Sequence, residues 1–333
     1  MNDQRDLVPN DAETQLESLS LGVIFANYRL IRVLASGGMG VVVEAEHRGL
    51  GRLVAIKLPN PRYLKDATRI KWFPDRFLQE ARILAQIEHP YVIPVYDCGS
   101  VNDCPYYAMK LIRGIDLEHR IDQSGPWLAT QVLELGERLG RAIAAIHQAG
   151  YINRDIKPAN VLFETEQQPR IIDFGLAIPI HQARTTCPSG AIVGSPSFIA
   201  PEQIRSETGI DVRVDVFSLG ALLFFAVTGR RHIQGSDPMQ VLGEVSKLTR
   251  PPERTEFPEL LDDRLVSIIR RCMEPDPRDR YPTAQEVAED CACCLAGGEP
   301  RRVQPQRVGT KSSESGLRRL TQVFTRRRAE SGT

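Results

Sequence analysis

Apolar and polar residues alternate along residues 28–34, and β-branched valines dominate residues 41–45. Both stretches read as strands, the second joined to the first through the glycine-rich Ala35-Ser36-Gly37-Gly38-Met39-Gly40. Strand-like runs return at Val54-Ala55-Ile56-Lys57, at 92–97 and at Tyr106-Tyr107-Ala108-Met109. Between them Phe77, Ala81 and Leu84 recur at helical spacing, which predicts an amphipathic helix carrying Glu80. After residue 113 the pattern turns helical. Val132, Leu135, Leu139, Ile143 and Ile146 mark one face of a long helix over 131–149, stopped by Gly150.

The longest apolar run, 219–227, is interrupted only by Gly220, and is shorter than the roughly 20 residues a bilayer span needs. The chain opens on a polar segment with no signal-peptide pattern, so the expectation is a soluble, cytoplasmic protein. With 42 basic and 42 acidic residues among 333, no overall charge points to nucleic acid or a membrane. Charge is distributed unevenly. Residues 300–333 hold nine basic side chains against two acidic ones, so 298–333 reads as a separate basic tail. In that tail Leu317, Leu320 and Phe324 stand at helical spacing, and a peripheral membrane contact is the less favoured alternative to a solvated tail. Residues 1–26 are polar and acidic, and read as a disordered extension. Seven cysteines make an odd count with no disulfide framework. Cys291, Cys293 and Cys294 are accompanied by no His and no second Cys-x-x-Cys, and read as buried helix cysteines.

Chemistry concentrates in Asn153-Arg154-Asp155-Ile156-Lys157-Pro158-Ala159-Asn160. Asp155 is a candidate base, Lys157 a candidate phosphate contact, and Asn160 offers the oxygen that a hard cation takes. Asp173-Phe174-Gly175, delivered by the apolar pair Ile171-Ile172, suits a second metal ligand. A glycine-rich hairpin such as 35–40 lets backbone N–H groups approach phosphate oxygens.

These segments, in this order, resemble the catalytic loop, metal loop and nucleotide loop of eukaryotic-type protein kinases. Lys157, two residues after Asp155, matches the Ser/Thr branch, and Gly-Gly-Met-Gly with Ala-Pro-Glu-Gln most resembles the bacterial Ser/Thr kinases. The resemblance implies an α+β, two-lobed fold in a domain over 27–297. A small β-rich lobe spans 27–112 and a larger helical lobe 113–297.

For the site, the resemblance implies Asp155, Lys157, Lys57 and Glu80 as the catalytic group, with Lys57 bridging phosphates and paired to Glu80. ATP would be held by Leu34, Ala35, Ser36, Gly37, Gly38, Met39, Gly40, Val41, Val42 and Ala55. On the hinge side it would meet the gatekeeper Met109, then Lys110 and Ile112, with Leu162, Asn160 and Asp173 completing the set. Asn160 and Asp173 would hold Mg²⁺, with Mn²⁺ as the alternative ion. Asp215 would anchor the catalytic loop, Glu202 would pair with Arg280, and Ser195 would contact Asp155. The segment 173–202 holds Thr185, Thr186 and Ser189, and autophosphorylation is expected at Thr185 or Thr186.

The implied activity is transfer of the ATP γ-phosphoryl to Ser/Thr hydroxyls of protein substrates in signalling, with autophosphorylation and a homodimer that would serve it; no nucleic-acid partner is implied. Two departures, Ala35 for the first glycine and Asn153 for the usual His, motivate the alternative of a nucleotide-binding pseudokinase scaffold. Asn153 is smaller than the His that the family usually has, so looser packing on Phe174 is expected, while its carboxamide can still hydrogen-bond a carbonyl.

Overall fold

The computed structural model describes residues 22–36, 40–60, 73–183, 195–205 and 209–301, with backbone alone for 73–76. Gly37, Gly38, Met39, Thr185, Thr186, Ser189, residues 1–21 and the tail from 302 onward lie outside the described residues. Contacts divide the chain into two units, one comprising residues 1–88 and 92–113, the other 89–91 and 114–333.

The first unit is built on β1 (Ile24–Phe25), β2 (Tyr28–Ser36), β3 (Gly40–His47), β4 (Arg52–Pro59), β5 (Val95–Val101) and β6 (Cys104–Lys110), with one helix, α1 (Phe73–Ala85). All pairings are antiparallel in the order β1-β2-β3-β4-β6-β5. Because strand side chains alternate between faces, each strand is divided by parity. Val41, Val43, Val54, Ile56, Leu58, Tyr106 and Ala108 join Tyr28 and Leu30 in one buried cluster. Residues of the opposite parity are left for the other face. There Ala35 pairs with Val42, Val42 with Lys57, and Lys57 with Tyr107, making one row across four strands. Ala55 and Met109 form the next matched pair on that face.

The second unit is largely helical. It contains α2 (Leu117–Ser124), α3 (Ala129–Gln148), β7 (Tyr151–Ile152), β8 (Val161–Phe163), β9 (Pro169–Ile171), β10 (Ile178–Pro179), α4 (Ile180–Ala183) and α5 (Pro201–Arg205). There follow α6 (Arg213–Thr228), α7 (Pro238–Ser246), α8 (Asp263–Cys272) and α9 (Ala284–Leu295). The long helix read from the apolar stripe is α3, and Val132, Leu135, Leu139, Ile143 and Ile146 are all buried. The apolar run 219–227 is explained by α6, where every residue from Val214 to Val227 is buried. A helix apolar all round belongs inside a core. Each fully buried Leu or Phe there contributes about 1.5–3 kcal/mol. Gly220 is required where α6 meets α8, since a Cβ would stand 2.4 Å from Cys272 Cβ. Among the described residues no helix is long and apolar enough to cross a membrane.

Cys291 and Cys294 are buried on α9, as expected, but Cys293 is exposed and its thiol donates to the Glu299 carbonyl at 3.3 Å. The reason is helical phase: 291 and 294 are three apart and share a face, while 293 falls off it. Burial pushes the Cys291 thiol well above its usual range.

Candidate active site

Lys57 and Glu80 meet in the first unit. The Lys57 ammonium donates to Glu80 Oε1 at 2.8 Å and Oε2 at 3.0 Å. Lys57 is placed by β4 and Glu80 by α1, 23 residues later. Of the other residues read as nucleotide contacts, Ala35, Val42, Ala55 and Met109 share the face of Lys57, by strand register. Val41 belongs to the opposite parity, and its side chain is buried in the core cluster. Leu34 sits at the register shift between Val33 and Ala35, and Ser36 opposite Val41. Gly40 has a requirement of its own: a Cβ there would come 2.5 Å from the Leu58 carbonyl oxygen on the neighbouring strand. At the end of β6, Met109 and Ile112 are buried and the Lys110 N–H donates to the Pro94 carbonyl at 3.1 Å.

The second unit assembles the polar loop around one buried carboxylate. Asp215, in the first turn of α6, is fully buried. Its Oδ2 accepts the Asn153 N–H and its Oδ1 the Arg154 N–H, both at 2.8 Å. His147 Nε2 lies 2.8 Å from the same Oδ2. These bonds hold Arg154 at a φ of 66°, a left-handed conformation that costs a non-glycine residue about 1–3 kcal/mol. Arg154 is itself buried, and its Nε donates to the Leu176 carbonyl at 2.8 Å.

That turn presents Asp155. Lys157 Nζ donates to Asp155 Oδ2 at 2.8 Å. Asn160 Nδ2 donates to the same oxygen and to the Asp155 carbonyl, each at 2.9 Å. Ser195 Oγ reaches Asp155 Oδ1 at 3.4 Å. With its amide nitrogen committed to Asp155, Asn160 presents its carboxamide oxygen on the other side. Asp173 Oδ1 accepts the Gly175 N–H at 3.0 Å, and the Ile172 N–H donates to the Asn160 carbonyl at 3.1 Å, tying the two loops together. Leu162 follows on β8, paired with Arg170 of β9. The donor set of Asn160 and Asp173 is all oxygen, which fits a hard divalent ion that takes its other ligands from phosphates and water.

Asn153 and Phe174 are both buried, 0% and 2% exposed, and the Asn153 carboxamide is engaged at both ends. Its Nδ2 donates to the Asp173 carbonyl at 2.9 Å and its Oδ1 accepts the Asp155 N–H at 3.0 Å, so one small side chain bridges both loops.

Asp155 is 9% exposed, and burial raises its carboxyl above the ordinary aspartate value, with Asp173 adding to the rise and Lys157 and Asn160 opposing it. For a reaction in which Asp155 serves as base, the acid limb of kcat/KM is expected above the range of an ordinary aspartate, with activity lost as pH falls through it. A pH–rate profile checks this. A limb at or below the ordinary aspartate value contradicts it.

Sequence reading missed His147 and Tyr107. His147 lies in the last turn of α3, and nothing local marks its contact with Asp215, 68 residues away. Tyr107 reads as an ordinary strand aromatic, yet its hydroxyl donates to Glu80 Oε1 at 2.9 Å.

Compared with known sequences, residues 28–291 match the protein kinase domain family. The serine/threonine-protein kinase PknE of Mycobacterium tuberculosis is 32% identical over 281 residues, covering 84% of this chain and 48% of the relative. The serine/threonine-protein kinase PknA of the same species is 33% identical over 280 residues, covering 83% of this chain and 63% of the relative. The chain thus spans about half to two thirds of the length of these curated relatives.

Proposed function

From the premise that this chain belongs to the protein kinase domain family, we propose that it transfers the γ-phosphoryl of ATP to Ser or Thr hydroxyls of protein substrates, its own chain included. The observation that carries the reading is the grouping of Asp155, Lys157, Asn160 and Ser195 on a loop whose backbone is held by buried Asp215. The formed Lys57–Glu80 pair supports it from the first unit.

In this reading the acceptor hydroxyl attacks the γ-phosphorus while Asp155 takes its proton. The bond to the β,γ-bridging oxygen breaks, and ADP leaves with the electron pair. Lys157 offsets charge on the moving phosphoryl group, and Lys57, kept in place by Glu80, positions the α- and β-phosphates. Asn160 and Asp173 are the residues that would hold Mg²⁺, which when bound neutralises charge on the phosphate oxygens. The remaining face residues, Ala35, Val42, Ala55 and Met109, together with Leu162, would supply apolar contact to the adenine. The setting is the cytoplasm, where ATP is supplied.

The scaffold alternative rests on Ala35 and Asn153. Asn153 joins the two loops through its carboxamide, and Ala35 lies on β2 opposite Val42, next to a register shift, so both residues are part of ordered structure. Lys57→Ala is expected to abolish phosphoryl transfer while the protein stays folded by circular dichroism. A Lys57→Ala protein with wild-type turnover overturns the assignment.

A further inference from the structure

Glu80 is held from two strands. Besides Lys57 of β4, it is met by Tyr107 of β6, the register partner of Lys57. The Tyr107 hydroxyl donates to Glu80 Oε1 at 2.9 Å, the same oxygen that accepts from Lys57 at 2.8 Å. Tyr107 is 0% exposed and Glu80 5%. The Tyr107 ring contacts α1 a second time, its centroid 5.4 Å from that of Phe77, which precedes Glu80 by about one helical turn. Lys57 Nζ lies 5.7 Å from the Tyr107 ring centroid.

A lysine that bridges phosphates changes its surroundings each time nucleotide arrives or leaves. Its hold on Glu80 is then a variable quantity. The Tyr107 hydroxyl is a neutral donor, buried on the Lys57 face of the sheet. If α1 shifted and withdrew Glu80, the buried hydroxyl would lose a 2.9 Å hydrogen bond to a carboxylate oxygen, and bonds to charged acceptors are stronger than neutral ones. The hydroxyl therefore opposes withdrawal whether or not nucleotide is bound.

We propose that Tyr107 is a positioning residue that keeps Glu80, and with it α1, seated against the sheet before nucleotide binds, so that Lys57 is presented ready for phosphate. This rests on the kinase reading for its consequence in catalysis, but not for the physical seating of the helix.

The test is Tyr107→Phe, which keeps the ring and its contact with Phe77 and removes only the hydroxyl. The first readout is hydrogen–deuterium exchange of nucleotide-free protein. Exchange across α1 is expected to rise about 5–10-fold, the value of one net hydrogen bond, with the rest of the sheet unchanged. The second is steady-state kinetics, in which kcat/KM for ATP falls by about the same factor and KM for the protein substrate holds. In a Glu80→Ala background, Tyr107→Phe is expected to add no further change, because the two act through one contact. Unchanged α1 exchange overturns the proposal, and so does a uniform rise over the whole first unit, which would make the hydroxyl a general stabiliser. Wild-type protein that transfers no phosphoryl group refutes the kinase reading alone, and the exchange result still decides the seating of α1.

Discussion

Asp155→Asn is expected to lower phosphoryl transfer by roughly 10²–10⁴-fold, the range for losing a general base, and to leave the fold at least as stable as wild type. The second half follows from the direction of its pKa. Burial raises the Asp155 carboxyl above its ordinary value, and outweighs Lys157 and Asn160. A carboxyl with a higher pKa in the folded than in the unfolded chain burdens the fold with its ionised form. The burden is full above the folded pKa. It is relieved as pH falls through that value, and is gone below the unfolded one. At neutral pH the amide removes it. The substitution nearly preserves shape, and the Asn oxygen can still accept from Lys157. Urea unfolding at neutral pH, beside initial rates at saturating ATP, checks both halves. An inactive and clearly destabilised variant contradicts the dominance of burial, and an active one contradicts the role of the carboxylate.

The largest effect on stability is expected at Arg280. Its side chain is 0% exposed, and Glu202 is 5% exposed. Its guanidinium donates to Glu202 Oε1 at 2.6 Å and Oε2 at 2.8 Å, and to the carbonyls of Glu274 at 2.6 Å, Arg213 at 3.0 Å and Pro275 at 3.1 Å. The fork thus ties α5 to α6 and to the turn that follows α8. Arg280→Ala leaves a buried carboxylate uncompensated and three carbonyls without that donor. A loss of about 3–5 kcal/mol is expected, read as a fall in the urea midpoint. Replacing the pair together, Glu202→Leu with Arg280→Met, should recover much of it, because the charge stranded by the single change is absent. A single variant losing less than about 1 kcal/mol would show the pair to be dispensable.

What the sequence made legible was what repeats locally or sits in a short motif. Strand alternation placed Lys57 on β4, and helical spacing placed Glu80 on α1, so their meeting needed only the two elements to pack. The five residues read as the α3 stripe are all buried, with Leu133, Ala142 and Ala144 buried beside them. The family resemblance supplied long-range pairs that periodicity does not encode, among them Glu202 with Arg280 and Asp215 with the loop backbone. Contacts with neither a local period nor a motif stayed hidden. Tyr107 reaches Glu80 only because β4 and β6 are neighbours, and His147 reaches Asp215 only because α3 and α6 pack together. For Asn153 the bond from its carboxamide to a carbonyl was legible from its chemistry, while acceptance of the Asp155 N–H by its oxygen was not. Gly40 was read for phosphate approach, while its close neighbour in the structure is the Leu58 carbonyl.

The central claim is the reaction itself. Purified chain incubated with γ-labelled ATP, Mg²⁺ and a mixture of protein substrates, followed by identification of the labelled amino acids, tests it most directly, with Asp155→Asn run in parallel. The account predicts labelled phosphoserine or phosphothreonine from the wild type and a loss of at least about a hundredfold in the variant. Wild-type protein that binds ATP but labels neither amino acid, on itself or on any substrate, would contradict it.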